Sequence, residues 1–314
     1  MPIDNSIPIG ENHAVYQDSD DYKTAVGYPG QYESVKEDDN GIYGLSQEEY
    51  SDADKISVIM PEDGVPVVVL YGPAGCGKTM LLIRMVRYLR DKGYIASPVR
   101  TFRPAADANY QQICDGFNDK ITGDLAASQT DLISFLLVEI ARQGKPICRI
   151  LEVPGEHILP KAERLRPYPR YLQAVLNSTK LRKIWLAMVE PDWEDQSDRD
   201  KYVLKLQDLK RRMSAHDKVI FVFNKVDNTN LVVQAGKVNV AQAEKKTKTL
   251  YPGIFNCFEN VSPISKMWRK YDCGFVPFQT GTYSEASDGS IYFTPGPVQY
   301  CDNLWNTILK FTKG

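Results

Sequence analysis

The chain has 314 residues, 43% of them apolar, enough to bury the core of one large domain or two small ones. A net charge of only −2 argues against a protein that coats nucleic acid. The longest apolar runs are of strand length, so no membrane span is expected.

Residues 1–64 hold fifteen acids and three lysines, which leaves the rest of the chain net basic by about ten charges. Up to residue 60 no period of 2 or 3.6 is sustained. A flexible acidic tail is expected there, ahead of a domain over 61–314. Its tyrosines 16, 22, 28, 32, 43 and 50 could serve a docking arm. The opening MPIDNSIPIG lacks the basic and apolar stretches of a secretory signal. Cysteines 76, 114, 148, 257, 273 and 301 lack metal-ligand spacing. That suits reduced, partly buried thiols in a cytoplasmic protein.

From Val65 the pattern alternates. Val65–Tyr71 is a continuous apolar run, as in a buried parallel strand. Thr79–Lys92 has helical periodicity and stops at Gly93. Segment 94–131 is long for a connection, and such loops are often functional. Ser134–Arg142 and Ile147–Val153 read as two strands joined at 143–146, a hairpin. A helix over 161–180 follows, then a strand at Lys183–Val189, a helix at Ser197–Ala215 and a strand at Lys218–Phe223. Val240–Leu250 is helical and Phe275–Gln279 a strand. An inserted loop or hairpin at 282–295 precedes a closing helix, Val298–Phe311. The order predicts an α/β fold: a mostly parallel sheet, one antiparallel strand, helices on both faces. The cations between 161 and 185 read as a solvated face or a partner contact.

Gly72-Pro73-Ala74-Gly75-Cys76-Gly77-Lys78-Thr79 fits GxxxxGK(S/T) in full, between a buried strand and a helix. Glycines let backbone N–H groups wrap an anion, and the helix start adds its dipole. Lys78 supplies a point charge to the terminal phosphates, and the Thr79 hydroxyl suits Mg²⁺. Cys76 reads as a small filler rather than a redox switch.

Asn224-Lys225-Val226-Asp227 ends the strand at 218–223, and ligands bind at strand ends in such sheets. The Asp227 carboxylate can accept from the ring N–H and exocyclic amine of guanine. Adenine offers neither, and the unpaired acid would cost about 1–3 kcal/mol. The Lys225 stem can lie over the base, and Asn224 can tie this loop to the phosphate loop.

The second hairpin strand ends in Glu152-Val-Pro-Gly155-Glu156-His157. With the two loops above in this order, residues 65–314 resemble the Ras-like, translation-factor-related class of P-loop GTPases. Within it they look most like the bacterial double-GTPase-type families. The class has Asp-x-x-Gly where this chain has Glu152-x-x-Gly155. The resemblance implies that Glu152 holds Mg²⁺ through water, and that the Gly155 N–H senses the terminal phosphate. Glu156 stands where the class often has a water-orienting Gln, and His157 is the other candidate. If His157 serves, the rate should fall as pH drops through 6–7. A first-switch Thr on the metal is implied before the hairpin: Thr130, or else Thr122. Gln279-Thr280-Gly281 would meet the guanine carbonyl, with Ser262–Lys266 as the competitor. No arginine just precedes Thr130, so no built-in arginine finger is expected.

These readings combine into a nucleotide switch. GTP or GDP would bind with Mg²⁺, hydrolysis would be slow, and a protein effector or activating partner would take the output. A non-hydrolysing scaffold is one alternative. An ATP-dependent P-loop protein is another, against which Asn224–Asp227 weighs.

Overall fold

Val67–Tyr71 (β1) is buried at every position, as is Lys183–Val189 (β5), so both faces of the sheet they share are covered. The computed structural model describes residues 45–122, 135–161, 163–260, 262, 267, 270–285 and 291–313. Between these strands come α2 (Lys78–Asp91), β2 (Ile95–Pro98), α3 (Ala108–Thr122), β3 (Leu137–Arg142) and β4 (Lys145–Glu152), after α1 (Gln47–Ser51) near the start. The turn α4 (Gly155–Ile158) and helix α5 (Arg170–Asn177) lead into β5. Then follow α6 (Gln196–Arg212), β6 (Lys218–Phe223), a small hairpin of β7 (Val232–Gln234) and β8 (Lys237–Val238), and α7 (Val240–Leu250). The chain closes with β9 (Gly274–Pro277), β10 (Gly281–Glu285), β11 (Ile291–Pro295) and α8 (Val298–Thr312).

The main sheet has the order β2-β3-β4-β1-β5-β6-β9. β1 runs parallel to β4 and β5, β6 parallel to β5 and β9, and only β3 runs against its neighbours. The expected plan of one antiparallel strand in a parallel sheet is therefore found. Its hairpin turns on Gln143 and Gly144, both with positive φ (51° and 74°), the pattern of a two-residue turn matched to strand twist. Helix α2 buries Leu81, Leu82, Met85 and Leu89 and meets α8, while α5 pairs with α6. Tyr202 of α6 stacks on Tyr71 at 6.0 Å, and Trp185 meets the same ring edge-on at 5.9 Å.

Three readings change. Segment 94–131 is not one long loop, because β2 and α3 lie inside it; β2 pairs with β3 at the sheet edge. The helix expected over 161–180 is confined to α5, since Pro160, Pro167 and Pro169 cannot sit inside a helix. Residues 45–60 are packed, not a tail: Ile56 is buried and the Ile59 N–H donates to Phe102 O at 2.7 Å. Residues 1–44 lie outside the described residues.

Candidate functional site

Parallel pairing sets the carboxyl ends of β1, β4, β5 and β6 on one edge of the sheet, where the loops after them meet. The phosphate loop leaves β1 at Gly72. Gly77 caps α2 with φ 87°, and a Cβ there would lie 2.5 Å from Asn224 Nδ2, so glycine is required twice over. Lys78 is only 6% exposed, and its ammonium donates to Gly72 O (3.1 Å) and Pro73 O (2.8 Å). Cys76 is buried against Gly72, and burial pushes its thiol up to about 11. A thiol held protonated is inert, in keeping with a filler role.

The end of β4 brings Glu152 beside the loop. This carboxylate is 2% exposed, and one oxygen accepts from the Thr79 hydroxyl. Burial pushes it up to about 7, against the pull of that hydrogen bond and of Lys78. Its other oxygen, Oε2, is buried with no hydrogen-bond partner. A buried carboxylate oxygen lacking a donor, beside a hydroxyl, is a set of hard oxygen ligands suited to Mg²⁺. Gly155 lies directly on the phosphate loop: a Cβ on it would fall 2.1 Å from Ala74 N.

The next two residues differ in placement. Glu156 is exposed, whereas His157 is 7% exposed and bonds through Nδ1 to the Tyr171 hydroxyl at 2.8 Å. Burial, aided by the Lys78 charge, lowers His157 to about 4. A histidine neutral down to that value is expected to give no break at pH 6–7, unlike one in its ordinary range.

At the end of β6, the Asn224 side chain donates from Nδ2 to Cys76 O at 3.0 Å. The loops at 72–79 and 224–227 are thus joined, as the sequence suggested. Lys225 takes the left-handed conformation (φ 53°), and its ammonium pairs with Glu190 Oε2 at 2.6 Å. Asp227 is exposed and forms no ion pair among the described residues. Partial enclosure, with Asp192 nearby, raises its carboxyl above the ordinary value. Phe278 joins the assembly, donating to Phe223 O (2.8 Å) and accepting from the Val226 N–H (3.2 Å). Gln279 and Thr280 follow directly. Gly281, however, opens β10 opposite Pro295, and a Cβ there would lie 2.3 Å from Thr294 O. It therefore belongs to a hairpin more than to a free base-reading turn.

Of the first-switch candidates, Thr130 lies outside the described residues, and Thr122 is the last residue of α3. Most of Ser262–Lys266 also lies outside them. Several cations between 161 and 185 are tied internally rather than solvated. Arg164 binds Asp198 (Nε–Oδ1 2.9 Å), Arg182 caps α8 through Thr312 O, and Lys183 is buried against Asp217. Sequence reasoning missed Glu190 and Tyr171. The first had a weak signal, as an acid just past a buried strand. The second had none, because a helix brings it to His157 from fourteen residues away.

No family model matches the chain, and no curated protein matches it. Among solved structures it is similar to the putative nucleolar GTP-binding protein 1 of Plasmodium falciparum. Identity is 10%, coverage 82% of this chain and 90% of that one, and the TM-score 0.41. Toc33 from Arabidopsis thaliana, in complex with Mg²⁺ and GMPPNP, is 12% identical over 80% of this chain and 85% of that one, with TM-score 0.42. The signal recognition particle receptor SRb-GTP/SRX complex from Chaetomium thermophilum is 13% identical over 78% and 98%, with TM-score 0.39. No helix among the described residues is long and apolar enough to cross a membrane. Its own strand order, with β3 alone antiparallel and β1 passing through Gly72–Thr79 into α2, makes this chain an α/β protein of the P-loop NTPase fold.

Proposed function

We propose that this chain binds GTP and GDP with Mg²⁺ and acts as a switch with slow GTP hydrolysis. The observation that carries the reading is the Asn224–Cys76 hydrogen bond, which joins a phosphate loop to an Asn-Lys-x-Asp loop 148 residues away. A phosphate would draw Lys78 from the Gly72 and Pro73 carbonyls and receive the backbone N–H groups of 74–79. Asp227, free of ion pairs among the described residues, would accept from the guanine edge, with Gln279 and Thr280 close to the carbonyl side. Lys225 would cover the base with its stem while Glu190 holds its head.

Thr79 and Glu152 would hold the metal, with Thr130 or Thr122 as a further ligand from the first switch. Bound Mg²⁺ would neutralise developing phosphate charge. Gly155, packed against Ala74, would sense the terminal phosphate through its N–H, and His157 stands two residues on. A partner protein would read the switch segments, in keeping with order changes of this kind in nucleotide switches.

The test is a titration with fluorescent GDP and competition by GTP and ATP. GTP is expected to compete at least about tenfold better, equal to about 1.4 kcal/mol. Asp227→Asn should move preference toward xanthine nucleotides, because an amide donates where the acid only accepts. Equal competition by ATP would remove the guanine reading in favour of an ATP-dependent protein. Tight GTP binding with no turnover would favour a scaffold.

A further inference from the structure

Tyr171, the second residue of α5, is buried, and among the described residues its hydroxyl has one hydrogen-bond partner, Nδ1 of His157 at 2.8 Å. The two rings meet edge-on with centroids 5.6 Å apart, and Phe135 packs edge-on against Tyr171 at 5.0 Å. Phe135 is itself fully buried, and it stands just before β3 with an unusual φ of 58°. Tyr171 therefore contacts both Phe135, two residues before β3, and His157, two residues after Gly155.

The direction of this hydrogen bond follows from what each group can do. Burial keeps the phenol protonated, pushing it well above its ordinary value. If Nδ1–H donated to the phenol oxygen, the buried phenol hydrogen would have no acceptor among the described residues, which is costly. If the phenol donates to the Nδ1 lone pair, the phenol hydrogen and Nδ1 are both satisfied. A neutral imidazole that accepts at Nδ1 carries its hydrogen on Nε2. We infer that Tyr171 fixes His157 in the Nε2–H tautomer, so that the ring offers a hydrogen-bond donor to the phosphate end of the site. Such a ring can steady a phosphate oxygen or a water lone pair, and it cannot take a proton from water. Tyr171 is thus a positioning residue acting through His157. The functional half of this inference rests on the GTPase reading above; the tautomer does not.

The test uses full-length protein labelled with ¹⁵N in its three histidines, with the His157 ring signals assigned by their loss in His157→Gln. Wild-type protein should show a protonated Nε2 and a bare, hydrogen-bonded Nδ1 at pH 7. Tyr171→Phe should convert this to a mixture of tautomers. The same variant should lower single-turnover GTP hydrolysis by a factor on the order of ten to a hundred, with GTP affinity within about twofold. In a His157→Ala background, Tyr171→Phe should change hydrolysis no further, a result that a purely structural role would not give. A protonated Nδ1 in the wild type, or a tautomer unmoved by Tyr171→Phe, overturns the assignment. So does an undiminished effect of Tyr171→Phe without His157. Failure of the wild type to bind labelled GDP would instead remove the GTPase reading. The ring signals, read without nucleotide, would still decide the tautomer.

Discussion

Glu152 shows how one methylene bears on a whole site. Its carboxyl is raised from 4.5 to about 7 by burial, so the folded protein holds this proton more tightly than the unfolded chain does. Stability from this group is therefore lost as pH rises from about 4.5 to about 7, by an amount on the order of 3 kcal/mol above that window. Glu152→Gln should stabilise the Mg²⁺-free protein at pH 8 and change little at pH 4.5, as read by urea denaturation with a chelator present. Addition of Mg²⁺ with GDP should stabilise the wild type more at pH 8 than at pH 6, and should do far less for the variant. His157 works in the opposite sense. Its value is lowered to about 4, so its stabilising share is present above 6.5 and is lost as pH falls from 6.5 through 4. Hydrolysis profiles of wild type and His157→Gln should consequently have the same shape between pH 6 and 8, whatever their height. A step near 6.5 present only in the wild type would show that the ring titrates in the open.

At the scale of elements, α1 and the chain around Arg103–Asp107 form one unit. Ser46 and Glu49 cap α1 reciprocally, and the side chain of Glu49 also binds Arg103. Arg103 is buried, and it reaches Asp107 (Nε–Oδ2 2.7 Å) and Ser57 O (3.0 Å) as well. Removing the guanidinium leaves two mostly buried carboxylates facing each other. Arg103→Met should therefore cost about 3–5 kcal/mol, read as a shift in urea midpoint, and the double variant with Glu49→Gln should recover part of it. The Ser46–Glu49 cap and the Arg103–Asp107 pair are local, but the contacts that join them into one unit span 46 to 54 positions and were not legible in the sequence. β2 was missed for a different reason: it is a four-residue edge strand with Ile95 exposed and Pro98 at its end, so no apolar period marks it. By contrast, β1, β6, Gly72–Thr79 and Asn224–Asp227 were legible, since a buried parallel strand is a continuous apolar run and each loop's chemistry is local. The turn at 279–281 was read only in part, because the β10–β11 hairpin draws in Gly281 by pairing it with Pro295.

Turnover is a property of the whole molecule, since it depends on which charges reach the terminal phosphate together. Glu156 is exposed in the turn after Gly155 and carries a charge of the same sign as the phosphate, so it is poorly suited to steady an attacking water there. His157, held by Tyr171 as a neutral donor, can orient but brings no positive charge. The arginines near the start of segment 94–131 are paired: Arg100 with Asp115, and Arg103 with Glu49 and Asp107. Lys78 and the metal would then be the main cations on the transferring group, the situation in which an arginine finger is worth about 10³–10⁵ in rate. The isolated protein is accordingly expected to hydrolyse GTP at about 10⁻⁴–10⁻² per second, well below one turnover per minute, in a single-turnover assay with Mg²⁺. Glu156→Ala should leave that rate within about twofold, while His157→Ala should lower it by about tenfold or more with GTP affinity retained. A rate that climbs with protein concentration would mean that a second copy supplies the missing cation, and a flat rate would assign that task to a different partner. Fast turnover by the dilute protein alone would show that a cation already reaches the phosphate in cis, and the charge argument would fail.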